Sequence, residues 1–366
     1  MKLIRSMVIA MFAIAVVFGG ATNASAYNIN DDHRMFGLYQ LWINLDTDAA
    51  VVTDAATGNT SGDSLFGIRE RRIFFGVAGK LADGALGYYL LQSMGGPPSA
   101  ASSILAWGSV FLPGLQVDFG KLAPMVTYDG SIQGSGSLLS LQRATPTLQM
   151  TGAPYAGGTR AWRDLGLRFI ANAGPAQIRV TVTNGVGDAA QADSEHISGQ
   201  LAQSNQLGQA MYGIGAIIKP ADGVRVHAAF TSNKHDDVKL STGGVIDIDR
   251  TSTAVGGKVS MGAIMVDGEY ATTKATSSDF GGESELKGFW VRGGYSISKD
   301  LLLSVRHASF ERVTLNTKDT DLTVALMHTM GNLKTTIEYV TTDGEAGSVW
   351  GATDPKLLRM QLQMGF

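Results

Sequence analysis

Ten basic side chains recur in this sequence on the face opposite a stripe of alternating apolar residues: Arg72, Lys80, Arg168, Arg179, Arg225, Lys258, Arg292, Arg306, Lys334 and Arg359. Six acidic ones share their parity: Asp118, Asp164, Asp267, Glu269, Asp321 and Glu338. Rows of this kind do electrostatic chemistry. Charges along a narrow watery passage decide which ions enter it, and Arg and Lys favour anions. Part of the row has a structural use, because opposite charges facing each other across strands contribute about 0.2–1 kcal/mol per pair.

Covalent chemistry is thinly provided for. The chain has no cysteine, which removes thiolate nucleophiles, thiolate metal sites and disulfides. His227, His307 and His328 stand near no nucleophile motif, and the glycine pair Gly213-Ile214-Gly215 lies inside a strand pattern, where small residues admit close packing. His235-Asp236-Asp237 and Asp247-Ile248-Asp249 fall in one expected outer loop. Their carboxylates suit a divalent cation, but solvated loop charge explains them more simply. No catalytic residue, metal or cofactor is expected.

The elements that must carry the charged rows are strands. From Met35 to Phe366 apolar and polar residues alternate with period two, in runs broken by Gly, Pro, Asn, Asp and Ser. In the last run Leu358, Met360, Leu362, Met364 and Phe366 share one face, and Arg359, Gln361, Gln363 and Gly365 the other. The alternation predicts sixteen strands, at 35–46, 66–80, 85–93, 102–112, 114–121, 162–173, 176–185, 208–219, 223–234, 250–260, 262–273, 286–297, 301–310, 320–330, 333–341 and 355–366. Connections alternate between short (Gly174-Pro175, Gly331-Asn332) and long (47–65, 122–161, 186–207, 235–249, 274–285, 311–319).

An all-β, antiparallel transmembrane barrel explains that asymmetry, since such barrels have short turns at one rim and long loops at the other. A soluble sandwich has no reason to lengthen every second connection. Closure also satisfies every backbone N–H and C=O within lipid. Composition agrees: 17% charged residues is low beside the roughly 25% of ordinary soluble domains, and there are 46 glycines. Tyr39, Tyr88, Tyr212, Tyr270, Phe289, Tyr295 and Tyr339 recur near strand ends, where aromatic girdles lie.

Residues 1–26 read as a cleaved export signal: Lys2 and Arg5, an apolar run from Met7 to Phe18, then Ala24-Ser25-Ala26. The run is too short to span a bilayer as a helix, which takes roughly twenty residues. Residues 27–366 then form the barrel. Without Lys2 and Arg5, 27 of the 29 basic side chains remain against 32 acidic ones, a balance unlike the basic surface of a nucleic-acid binder.

Several segments resemble the phosphate-selective porin O and P family. Arg71-Arg72-Ile73-Phe74-Phe75-Gly76-Val77-Ala78-Gly79-Lys80-Leu81 is similar to its early strand, and Phe119-Gly120-Lys121-Leu122-Ala123-Pro124 to the approach to its inner loop. Leu141-Gln142-Arg143-Ala144, Trp162-Arg163-Asp164-Leu165-Gly166-Leu167 and Asn184-Gly185-Val186-Gly187-Asp188 follow in the family's order. The resemblance covers about residues 66–188, with terminal Phe366 beyond it. It implies a sixteen-stranded, usually trimeric, water-filled channel with an inward-folded loop and a preference for anions. Phe74, where a third basic residue is common, and Leu122-Ala123 after Lys121 depart from the pattern.

Lys121 and Arg143 join the pore-lining candidates because they flank or lie within 122–161, the longest connection, which folded inward would narrow the pore. The leading expectation is an outer-membrane porin of a Gram-negative bacterium, passing small hydrophilic solutes or ions with a mild anion bias. Its expected partners are those solutes, the surrounding lipid and two further copies of itself. Two other classes remain in view: a non-conducting scaffold barrel that binds a partner protein, and an outer-membrane lipase built on a barrel.

Overall fold

The computed structural model describes residues 27–30, 32–46, 52–53, 60–61, 65–93, 104–133, 137–141, 143–150, 164–183, 210–239, 245–277, 282–345 and 356–365. Nineteen strands are described. They are β1 (Tyr27–Asn30), β2 (His33–Asp46), β3 (Val52–Thr53), β4 (Thr60–Ser61), β5 (Leu65–Leu81), β6 (Leu86–Ser93), β7 (Ile104–Leu112), β8 (Leu115–Leu122), β9 (Asp164–Ala173) and β10 (Ala176–Thr183), followed by β11 (Ala210–Ala221), β12 (Val224–Lys239), β13 (Val245–Met261), β14 (Ile264–Ser277), β15 (Gly282–Ser296), β16 (Leu301–Arg312), β17 (Thr317–Met330), β18 (Leu333–Gly344) and β19 (Lys356–Gly365).

Sixteen of them, β2 and β5 to β19, close into one antiparallel barrel. Each pairs with its neighbour in sequence, and β19 returns to β2 with Arg359 opposite Asn44 and Gln363 opposite Gln40. β1 pairs with the start of β2, and β3 and β4 form a small hairpin in the connection between β2 and β5. No described helix is long and apolar enough to cross a membrane, which says nothing of crossing by strands.

Burial is inverted relative to a soluble protein. Large apolar side chains on one parity face outward and exposed, as with Ile214 at 51% and Val255 at 53%, while the other parity buries Thr231 at 0% and Thr323 at 1%. Isolated exposed apolar residues are ordinary, but a continuous apolar belt marks an interaction surface. The expected girdle residues, from Tyr39 to Tyr339, all share the outward parity in the register.

The short connections fall where the alternation predicted them, and their geometry explains why the residues there are small. Gly174 and Gly331 both adopt φ 57°, the left-handed conformation that two-residue hairpin turns demand and that side chains with a Cβ resist. The other rim departs from expectation. β12 runs on to Lys239, β13 begins at Val245, β14 reaches Ser277 and β17 begins at Thr317, so the connections at 240–244, 278–281 and 313–316 are brief. The hydrophobic alternation had ended earlier because outward positions such as Lys274 and Lys318 are polar. Strands rising past an apolar belt need no apolar face to keep their ladders. His235-Asp236-Asp237 and Asp247-Ile248-Asp249 therefore lie on paired strands and not in a loop, and all of their side chains except Asp249's lie outside the described residues.

Candidate functional site

The register sorts the charged candidates by face. Arg72, Arg168, Arg179, Arg225, Lys258, Arg292, Arg306, Lys334 and Arg359 all take the inward parity, with Lys80. Lys121 does not. It stands opposite Leu165, on the parity of Phe119 and Leu167, which are 49% and 45% exposed on the outer surface. Period-two alternation leaves it no other side once Asp118 faces inward. Arg143 belongs to no strand and lies within the segment that follows β8.

That segment, through residues 123–133, 137–141 and 143–150, runs along the inside of the wall. Its first contact explains the strand glycines. Methyl groups at Gly213 and Gly215 would lie 3.0 Å from Pro124 Cβ and 2.5 Å from Met125 Sδ, so the bare backbone of β11 is what lets the chain lie against it. A single helical turn follows, Tyr128–Ser131, capped by Thr127, whose hydroxyl accepts from Gly130 N at 3.0 Å.

Tyr128 is held from three sides. Its N–H donates to Glu269 Oε1 at 2.6 Å, and the same oxygen lies 3.2 Å from His227 Nε2. Its ring lies 4.8 Å from the His227 ring, with the Arg225 guanidinium 3.6 Å from its centroid. A cation over an aromatic face is attracted by the ring quadrupole. Arg143 ties the segment to itself, donating to Asp129 O and Gln133 O, both at 2.7 Å. Burial pushes the Asp129 carboxyl up from its ordinary range, opposed by the positive charge of Arg143.

Farther on, Lys334 donates to Leu138 O at 3.1 Å, Ser304 to Leu139 O at 3.0 Å and Arg306 to Ser140 Oγ at 2.9 Å. Leu141 N donates to Glu338 Oε2 at 2.7 Å, and Thr145 Oγ1 to Asp321 Oδ2 at 2.8 Å. The helix Thr145–Met150 then turns back. Pro146 occupies the space above Gly288, Ala144 packs with Trp290 and Ala308, and Met150 packs with Met125, Ile217 and Phe310 while accepting a hydrogen bond from Arg250.

On the inner face of β11 to β18 several of the charges are bound to one another or to the segment. Arg292 pairs with Asp267 through two hydrogen bonds of 2.9 and 2.5 Å, and Arg306 reaches Asp321 at 3.3 Å as well as Thr323. Lys258 stands in register between Arg225 and Asp267. Arg250 and Asp319 share this face and were missed by the sequence reading. Their parity with Lys258 and Asp321 was the available signal.

The remaining wall, β19, β2 and β5 to β10, differs. Among the described side chains its inward parity carries Arg34, Arg72, Lys80, Arg168, Arg179 and Arg359 against Asp118. Asp118 accepts from Arg168 at 2.8 and 2.5 Å and also from Ser109 and Gln116, both at 2.6 Å. Among the described residues Arg179 pairs with no carboxylate; its Nε donates to Gln177 Oε1 at 2.8 Å. Arg72 donates to Gln40, which donates to Gln363, and Trp42 donates to Gln361 with Arg359 5.6 Å from its ring centroid. Tyr89 and Trp107 stack on this face with centroids 3.9 Å apart, and Phe36 lies 5.1 Å from Tyr89.

A closed sixteen-stranded barrel with an apolar exterior, a polar interior and a segment folded inward along its wall is the architecture of porin-type barrels. The solved structures it resembles bear this out at the level of fold. The anion-selective porin from Comamonas acidovorans matches with TM-score 0.66 at 14% identity, over 91% of this chain and 99% of that one. Salmonella typhi OmpF, in complex with daunomycin, matches with TM-score 0.63 at 14% identity, over 93% and 99%. The outer membrane channel DcaP of Acinetobacter baumannii matches with TM-score 0.60 at 12% identity, over 93% and 100%. No family model and no curated protein sequence matches the chain.

Proposed function

We propose that the protein is an outer-membrane porin that passes small hydrophilic solutes by diffusion and favours anions. The observation that carries this reading is the uneven inner wall: among the described side chains, six basic against one acid on β19, β2 and β5 to β10, opposite a wall on which Arg292, Arg306 and Lys334 are held by carboxylates or by the inward segment. A solute passing between segment and wall meets this excess of basic groups, Arg179 among them with no carboxylate partner among the described residues, and field lines focus in a low-dielectric passage. Segment 122–161 acts as the constriction, residues 1–26 are removed on export, and the short turns face the periplasm.

The O and P resemblance supports the anion preference through Arg72 and Arg168. Phosphate itself is a narrower matter, because Lys121, which the family-like motif includes, faces outward. Homotrimeric assembly is part of the reading; one matching structure, OmpT of Vibrio cholerae, is a trimer form. The inward groups do their work by binding and steering ions, without a catalytic step.

Single-channel recording of the refolded protein in planar bilayers, with the reversal potential under a KCl gradient, tests the proposal. Discrete open steps and a chloride-directed reversal potential are expected. A folded protein that stays silent overturns it in favour of the scaffold reading, and a potassium-directed potential overturns the anion part.

A further inference from the structure

The stacked rings on the inner wall have no part in the ion selectivity just proposed, and their placement is unlike that of the other inward apolar residues. On β11 to β18, apolar side chains such as Phe310 and Trp290 pack with Met150 and Ala144 of the inward segment. Phe36, Tyr89 and Trp107 lie on the opposite wall and are only partly buried. Phe36 lies flat: a methyl group at Gly76 would be 2.5 Å from its Cζ. Tyr89 and Trp107 are nearly parallel, at 15° between planes. Together they make an aromatic shelf on the inner wall.

Its surroundings are basic. The Arg34 guanidinium lies 6.0 Å from the Phe36 ring centroid, and Lys80 stands two positions from Ala78, which pairs with Tyr89. On the other side Trp107 faces Gly120 and Gly120 faces Gly166, a row that carries no side chain inward. The cations beyond that row are held elsewhere, Arg168 by Asp118 and Arg179 by Gln177. On the near side two strand spacings separate Tyr89 from Arg34 across Ala78, about 10 Å, a gap that a guanidinium side chain and a ring-sized solute fill together.

We propose that this shelf is a binding site for aromatic carboxylates, which stack their ring on Tyr89 and Trp107 and turn their carboxylate to Arg34 and Lys80. The inference rests on the channel reading and adds the class of solute. Stacking and charge act on different atoms of one molecule, so a ring without charge and a carboxylate without a ring each lose half of the recognition.

The test is the block of single-channel KCl current by sodium benzoate, sodium acetate and benzyl alcohol. Benzoate is expected to halve the current at a concentration about fivefold lower than acetate does, the ratio that an aromatic contact of this size gives. In Tyr89→Leu/Trp107→Leu the two concentrations are expected to converge, and in Arg34→Gln both are expected to rise. Equal block by benzoate and acetate in a wild-type channel with a chloride-directed reversal potential overturns the shelf and leaves the anion channel standing. Benzyl alcohol acting as strongly as benzoate overturns the carboxylate's part. A silent barrel overturns both readings together.

Discussion

The two halves of the lumen use the same residue types to opposite ends. Arg306 and Arg292 on β16 and β15 are each bound to a carboxylate, and Arg306 and Lys334 also hold the inward segment. Across the passage Arg168 is likewise bound to Asp118, but Arg179 donates to Gln177 and, among the described residues, pairs with no carboxylate. Arg306 is therefore a support and Arg179 a field source. What separates them is whether a carboxylate or a carbonyl of the inward segment stands within reach.

The largest effect expected from breaking this contrast comes from the field-source wall. Charge reversal in Arg168→Glu/Arg179→Glu is expected to lower the chloride-to-potassium permeability ratio about tenfold, read from the reversal potential, because charges beside the passage dominate its potential. On the support wall, Glu338→Gln keeps an acceptor for Leu141 N but removes its charge. It is expected to weaken docking by about 1 kcal/mol, seen as more frequent current flicker with little change in selectivity.

Lowering the pH acts on the same docking through Asp129. Its carboxyl titrates higher when the segment is docked than when it is free, so burying the ionised form carries a penalty above that raised value. The penalty is relieved as pH falls through it, so flicker is expected to subside in acid, and Asp129→Asn to remove the pH dependence. The smallest effect belongs to Lys334→Met. Its ammonium is spent on Leu138 O, so the permeability ratio is expected to stay within about twofold of wild type.

The fold was legible because lipid and water impose opposite demands on alternate residues. Leu358, Met360 and Leu362 announced their face, and with it the inward direction of Arg359 and Gln361. The rim was less legible, because Lys318 and Thr320 rise past the apolar belt, where the outward face loses its signature. Lys121 was misplaced by proximity to the long segment, although its parity with Phe119 already excluded the lumen. The docking of residues 123–150 was not legible at all. A segment without a period offers no face to read, and Tyr128 meets Glu269 across 141 residues of sequence. The glycines of β11 hinted at a close neighbour without saying which.

The seam where β19 meets β2 has a kinetic meaning. The Gln40–Gln363 hydrogen bond joins residues 323 apart, whereas every other barrel pairing is between strands adjacent along the chain. Hairpins form locally and fast, and the entropy of joining distant segments falls on this one closure. Until it happens the growing sheet has two open edges, each a template for pairing with another molecule. The polar ladder of Gln40, Trp42, Gln361 and Gln363 is therefore the lock of the assembly, and weakening it is expected to lower the yield of folded barrels before it alters any current through them.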